Sequence, residues 1–160
     1  MVQRIAPLPD SLIARHQART GGFADSFRTV VPVTADLAGF VTAFYTTRLF
    51  RAERWMLARA GQPSTDAQIA TLFDGTGTDF AVWRIAECTE NELLMQEKSG
   101  ATASWFRASP CAAGTELYFG SAVRPRGSGQ AMPPAYRLLL GLHLAYSRAL
   151  LSSAARRVSR

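Results

Sequence analysis

The chain has 160 residues, 48% of them hydrophobic and 19% charged, with a net charge of +6. That balance excludes a disordered chain and predicts one soluble domain with a genuine core. The 18 basic residues include a single Lys, Lys98, and are scattered, so a solvated basic surface is expected rather than a nucleic-acid site.

Residues 1–22 read as a lead-in to a single domain over residues 23–160. Pro7 and Pro9 keep its start extended, Asp10 is placed to cap a short helix through Leu12, Ile13 and His16, and Gly21-Gly22 ends that helix. The apolar core of a secretory signal is lacking, so a cytoplasmic protein is expected. Phe23–Val33 reads as a strand, with Pro32 marking a sheet edge or exit. Thr34 opens a helix with Asp36 in its first turn, and Leu37, Phe40, Val41, Phe44 and Tyr45 recur at three and four residues. After Thr46-Thr47 a second apolar set, Leu49, Phe50, Trp55 and Met56, belongs to a separate or bent helix ending near Gly61. Thr65 to Gln68 has the spacing of a capping box, in which the first hydroxyl and the fourth side chain satisfy each other's amides. A short helix with Ile69, Leu72 and Phe73 follows.

The stretch from Asp79 to Pro125 organises the chain. It reads as four strands: Phe80–Thr89, Glu92–Lys98, Thr102–Ser109 and Thr115–Arg124. The turns at Glu90-Asn91, Ser99-Gly100 and Pro110–Gly114 are short enough to join only antiparallel neighbours. Alternation along a strand puts Trp83 with Ile85, Trp105 with Arg107, and Leu117 with Phe119. A long helix follows from about Pro134 to Arg156. Its most apolar part, Tyr136 to Leu151, carries Arg137, His143 and Arg148 and is too short for a membrane span. Cys88 and Cys111 form neither a disulfide framework nor a metal pattern and read as packed, reduced thiols.

This order of strand, helices, antiparallel meander and long C-terminal helix resembles the START-like helix-grip superfamily of lipid-transfer domains, plant ligand-binding proteins and polyketide cyclases. The resemblance spans residues 23 to 157 and rests on element order. It implies an α+β fold in which a curved sheet grips the last helix around an apolar cavity. A hydrophobic small molecule is the expected partner, with no cofactor and no metal.

Within such a cavity the candidate ligand-binding residues are Trp83, Trp105, Arg107, Tyr136 and His143. The two Trp side chains would form an aromatic wall if they share the concave face; packing against the terminal helix is the commoner fate of Trp in a sheet. His143 and Tyr136 fall on about the same helix face and could orient a polar group or act as acid and base. Arg107 could hold a carboxylate if it points inward. The passage from Arg124 through Gly127 and Gly129 to the helix start matches neither phosphate-binding glycine pattern and reads as a flexible loop at a cavity mouth. The alternatives are a cyclase- or dehydratase-type enzyme using the same cavity, and an interaction protein with a filled core.

Overall fold

The computed structural model describes residues 1–124 and 141–160 in full, and the backbone of the last helix from residue 134. Seven strands form one antiparallel sheet in the order β1-β2-β7-β6-β5-β4-β3. In chain order the elements are β1 (Gln3–Ile5), α1 (Leu12–Thr20), β2 (Phe23–Val31), α2 (Leu37–Tyr45), α3 (Arg48–Arg59), α4 (Ala67–Thr71), β3 (Asp79–Phe80), β4 (Trp83–Cys88), β5 (Glu92–Glu97), β6 (Thr102–Cys111), β7 (Gly114–Val123) and α5 (Pro134–Val158). The expected architecture is the one found: a helix-grip α+β domain, with the sheet closed over its C-terminal helix.

Local chemistry sets the helix starts. Asp36 accepts from the Gly39 amide at 2.7 Å and Thr47 from the Phe50 amide at 3.2 Å, each satisfying an otherwise orphaned N–H. Before α4 only half of the capping box forms. Gln68 Oε1 accepts from the Thr65 amide at 2.7 Å, while Asp66 is the cap residue and makes no capping bond of its own. Asp66 is engaged instead by Arg51 and Arg54, whose charges and hydrogen bonds hold its carboxyl below the usual range.

Side chains alternate between an inner face and an outer face that α1 covers in part. The inner face presents Phe27 and Val31, Leu117 and Phe119, Phe106, Leu93 and Met95 to Phe40, Val41 and Phe44 of α2 and Leu150, Leu151 and Ala154 of α5. The outer face presents Leu94, Ala103, Trp105, Tyr118 and Ala122 to Leu12 and Ile13 of α1. Three consecutive residues of β5, Leu93, Leu94 and Met95, are therefore all buried. At Gly120 the backbone of β2 and the tip of Ile13 come so near that a Cβ would sit 2.6 Å from the Asp25 carbonyl oxygen and 2.8 Å from Ile13.

Several local expectations are revised. Residues 3–5 pair with β2, and α1 packs on the sheet as its outer layer. Ser11 caps α1, accepting from the Ala14 amide at 3.3 Å, while Asp10 takes a left-handed turn conformation with φ 61°. The stretch read as one strand from Phe80 divides into β3 and β4 at Ala81, whose φ is 53°. Trp55 and Met56 face outward, each 59% exposed, with the Arg59 guanidinium over the Trp55 ring. Cys88 and Cys111 are free, and Cys88 is exposed rather than packed. The glycine passage at 127–129 and the Tyr136 side chain lie outside the described residues. No helix among the described residues is long and apolar enough to cross a membrane.

Candidate functional site

A cavity of about 220 Å³ lies between the inner face and α5. Its walls are largely aromatic: Phe44 and Tyr45 from α2, Phe50 from α3, Trp83 from β4 and Phe119 from β7. These rings brace one another. Phe44 and Phe119 have centroids 4.5 Å apart, Tyr45 and Phe50 4.8 Å, and Phe50 and Trp83 5.6 Å. Offset and edge-on arrangements of this kind stabilise beyond the area they bury, so the wall is stiff. A wider surface depression, about 1130 Å³ and bordered by Asp36, Arg51, Asp66 and Arg157, lies outside the grip, and its Arg51 and Asp66 already pair with each other.

Polar groups are grouped at the α5 side of the cavity. Asp25 of β2 has a fully shielded side chain, and its Oδ1 accepts from the Ser121 amide at 3.1 Å and the Ser121 hydroxyl at 3.0 Å. His143 Nε2 is 2.7 Å from that hydroxyl and 3.7 Å from Asp25 Oδ2. With Asp25 as a carboxylate, which can only accept, the serine proton points to Asp25. Nε2 then carries hydrogen and donates to Ser121. Asp25 Oδ2 has no hydrogen-bond partner among the described residues.

A second pair lies nearby. Tyr146, one turn beyond His143, donates to Glu53 Oε2 from α3. Burial pushes the Glu53 carboxyl above the ordinary carboxylate range, against the lowering effects of the Tyr146 bond and the His143 charge. Burial and, to a smaller extent, the Glu53 charge likewise push the Tyr45 phenol up. The Tyr45 hydroxyl is itself buried, without a partner among the described residues.

Glu53 makes stability depend on pH. A carboxyl whose folded value is raised binds its proton more tightly in the folded than in the unfolded chain. Stability is then lost as pH rises from the ordinary value, about 4.3, through the raised one. Glu53→Gln should remove that loss, so its urea midpoint should gain on the parent's between pH ~4 and pH ~7.5. A difference that stays constant over that range would show Glu53 titrating as it does in the unfolded chain.

Two of the expected ligand residues, Trp83 and His143, do line this cavity. Two others do not. Trp105 and Arg107 point to the outer face, where Trp105 is 0% exposed beneath α1 and donates from Nε1 to Glu92 Oε2 at 2.7 Å. Arg107 pairs with Glu92 at 3.2 Å and donates to Ser109 at 2.9 Å, so its charge is taken up within the protein. The pairing register explains the separation. Trp105 lies opposite Leu94, an outward residue, whereas Trp83 lies opposite Glu97, in phase with the inward Leu93 and Met95. Tyr136 cannot be placed, being outside the described side chains.

Asp25, Ser121, Glu53, Tyr45 and Tyr146 were missed as site residues. The signal for Asp25 was present: in FADSF it shares its phase with Phe23 and Phe27, so an acid occupies a core-facing position. Glu53 likewise lies three residues after Phe50, on the inner side of α3. No group of metal-ligating side chains occurs among the described residues.

No protein-family model matches the chain, and no curated protein does. Among solved structures, a protein from Rhodobacter sphaeroides determined by a structural genomics consortium is similar with a TM-score of 0.44 and 16% identity, over 99% of this chain and 95% of its own. Ara h 8.0201 is similar with a TM-score of 0.42 and 8% identity, over 86% of this chain and 98% of its own. The helix-grip description rests on this chain's own strand order and on the placement of α5.

Proposed function

We propose that this protein binds a small apolar or aromatic molecule in the cavity between its sheet and α5. The observation that carries the reading is an aromatic-walled cavity of about 220 Å³ between the sheet and α5. A well-packed core closes over such space. A cavity of about 150 Å³ accommodates benzene, so this one suits one or two rings rather than an acyl chain. A ring system burying ~150–250 Å² would gain roughly 4–6 kcal/mol before ordering costs. Trp83 and His143 would then contact the ligand.

Native mass spectrometry of the purified protein tests this directly. A discrete adduct lost on denaturation is expected, or, for an empty protein, a Trp fluorescence change on titration with one- and two-ring aromatics. A bare mass together with no response to any of them would overturn the reading and favour an interaction role with a filled core.

A cyclase- or dehydratase-type activity in the same cavity is the second reading. It is favoured by the Glu53–Tyr146 pair, a carboxyl held above its ordinary range beside a phenol, with His143 a turn away. The same incubations, followed for product, would show turnover lost in His143→Gln; turnover unaffected there would remove His143 from the chemistry.

A further inference from the structure

We propose that a second site, the depression between the start of α3 and the end of α5, binds a phosphate group carried by a small soluble molecule. The depression has a volume of about 490 Å³. Thr47 and Arg48 border it on one side, and Ser153, Arg156, Arg157 and Arg160 on the other. Four guanidinium groups therefore face one hollow, and no Asp or Glu side chain lines it among the described residues. Residue 140, the last whose side chain is outside the described set, is about 20 Å along α5 from Ser153. β7 leaves the sheet beside Phe23, whereas Arg156 and Arg160 also border a hollow with Val31 and Pro32, at the other end of β2, about 26 Å along the strand. Residues 125–140 thus join the domain at its far end.

Elsewhere the chain pairs its arginines. Arg15, Arg28, Arg51, Arg54, Arg84 and Arg107 each have a carboxylate partner. The four at this depression have none among the described residues. Arg156 is held by hydroxyls instead, donating to Ser152 at 2.8 Å and to Ser153 at 3.1 Å, which fixes its guanidinium without neutralising it. Arg157 also borders the wider depression that holds Asp66, but that carboxylate is taken by Arg51 and Arg54. Helix-end electrostatics accounts for Arg156 and Arg157, since cations are favoured at a C-terminus. It does not account for Arg48, the first residue of α3, where the helix field is positive and the first turn has no acid. A charge set against its own helix and beside three others of the same sign is a local cost that the fold does not explain, and an anion between the two helices removes it. Guanidinium forks reaching in from two helices suit a group with three acceptor oxygens and nearly two charges, which a phosphate has and a carboxylate lacks. The volume leaves room for an organic remainder, and a hollow favours a discrete molecule over the plane of a membrane.

Calorimetry on the intact protein at low salt tests this with glycerol 3-phosphate and acetate, neither of which has a ring to enter the aromatic cavity. Glycerol 3-phosphate is expected to bind at least tenfold tighter than acetate. Arg48→Gln should weaken it about tenfold. Arg59→Gln, which removes an equal charge from the other end of the same helix, should leave it unchanged. The urea midpoint of the ligand-free protein should not fall in Arg48→Gln, because the change relieves the start of α3. Equal losses in the two variants would reduce the effect to net charge and overturn the inference. Equal affinity for glycerol 3-phosphate and acetate, or no binding of the phosphate, would overturn it as well. Binding confined to vesicles containing phosphatidic acid, with none of glycerol 3-phosphate, would assign the arginines to a lipid surface and likewise overturn it. A lowered urea midpoint in Arg48→Gln would place Arg48 among the groups that hold the fold, removing the argument for an anion.

Discussion

Replacing Phe44 by Ala is expected to cost about 3–5 kcal/mol of folding stability, the largest effect of any single truncation on the inner face. Phe44 is 1% exposed and stands where α2, β6, β7 and α3 meet. Its ring lies 4.5 Å from Phe119, 4.9 Å from Phe106 and 5.9 Å from Phe50, centroid to centroid. Truncation removes the transfer free energy of the ring and leaves a void that those stiff neighbours cannot close. Domains of this size have only about 5–15 kcal/mol in total, so the variant should unfold at a much lower urea concentration with a similar slope. A loss under ~1 kcal/mol would mean that the inner face repacks freely, and that the aromatic wall is not the rigid surface described above.

Glu92→Ala should cost about 2–4 kcal/mol, for a different reason. Glu92 holds the outer layer to the sheet with one carboxylate. Oε2 accepts from the Leu12 amide at the start of α1 at 2.9 Å and from Trp105 Nε1 at 2.7 Å, and Oε1 pairs with Arg107 at 3.2 Å. Removing the acid strands two buried N–H groups and a half-buried guanidinium, and an orphaned donor costs its full desolvation. Because the anchor is at one end of α1, amide exchange in residues 12–20 should accelerate more than in β6 and β7. Uniform acceleration across α1 and the sheet would show that α1 has no separate opening reaction, and a cost near zero would show that water replaces the carboxylate without penalty.

The sheet and its gripped helix were legible because most of their sequence signals are local. Each meander strand is bounded by its own turn residues, and α2 announces itself by the spacing of Leu37, Phe40, Val41 and Phe44. The faces were harder to read. Alternation tells which residues of one strand agree, but not which phase of β4 matches which phase of β6; that depends on the pairing of Trp83 with Glu97 and of Leu94 with Trp105. The usual cue, a polar face against water, is absent in β5, where Leu93, Leu94 and Met95 are all covered. The outer layer was underestimated for the same reason, since α1 is short and its apolar pair, Leu12 and Ile13, looks incidental until Trp105 is found beneath it. Of the site, His143 stood out as an ionisable group in an apolar helix. Its partners did not, because Asp25 and Ser121 are 96 residues apart and meet only through the pairing of β2 with β7.

That same pairing has a consequence for how the chain acquires its structure. β4 to β7 form a run of hairpins whose contacts are close in sequence and can assemble early and quickly. β2 must instead wait for β7 and close a loop of nearly a hundred residues before any of its ladder bonds compensate the lost chain entropy. α5 follows the whole sheet in the chain, so on a growing polypeptide the inward faces of Phe27, Phe106 and Phe119 are made before the helix that covers part of them exists. Slow closure and late cover fall at the same place, the seam between β2, β7 and α5, and there the nascent chain is most exposed to association with other chains and to capture by chaperones.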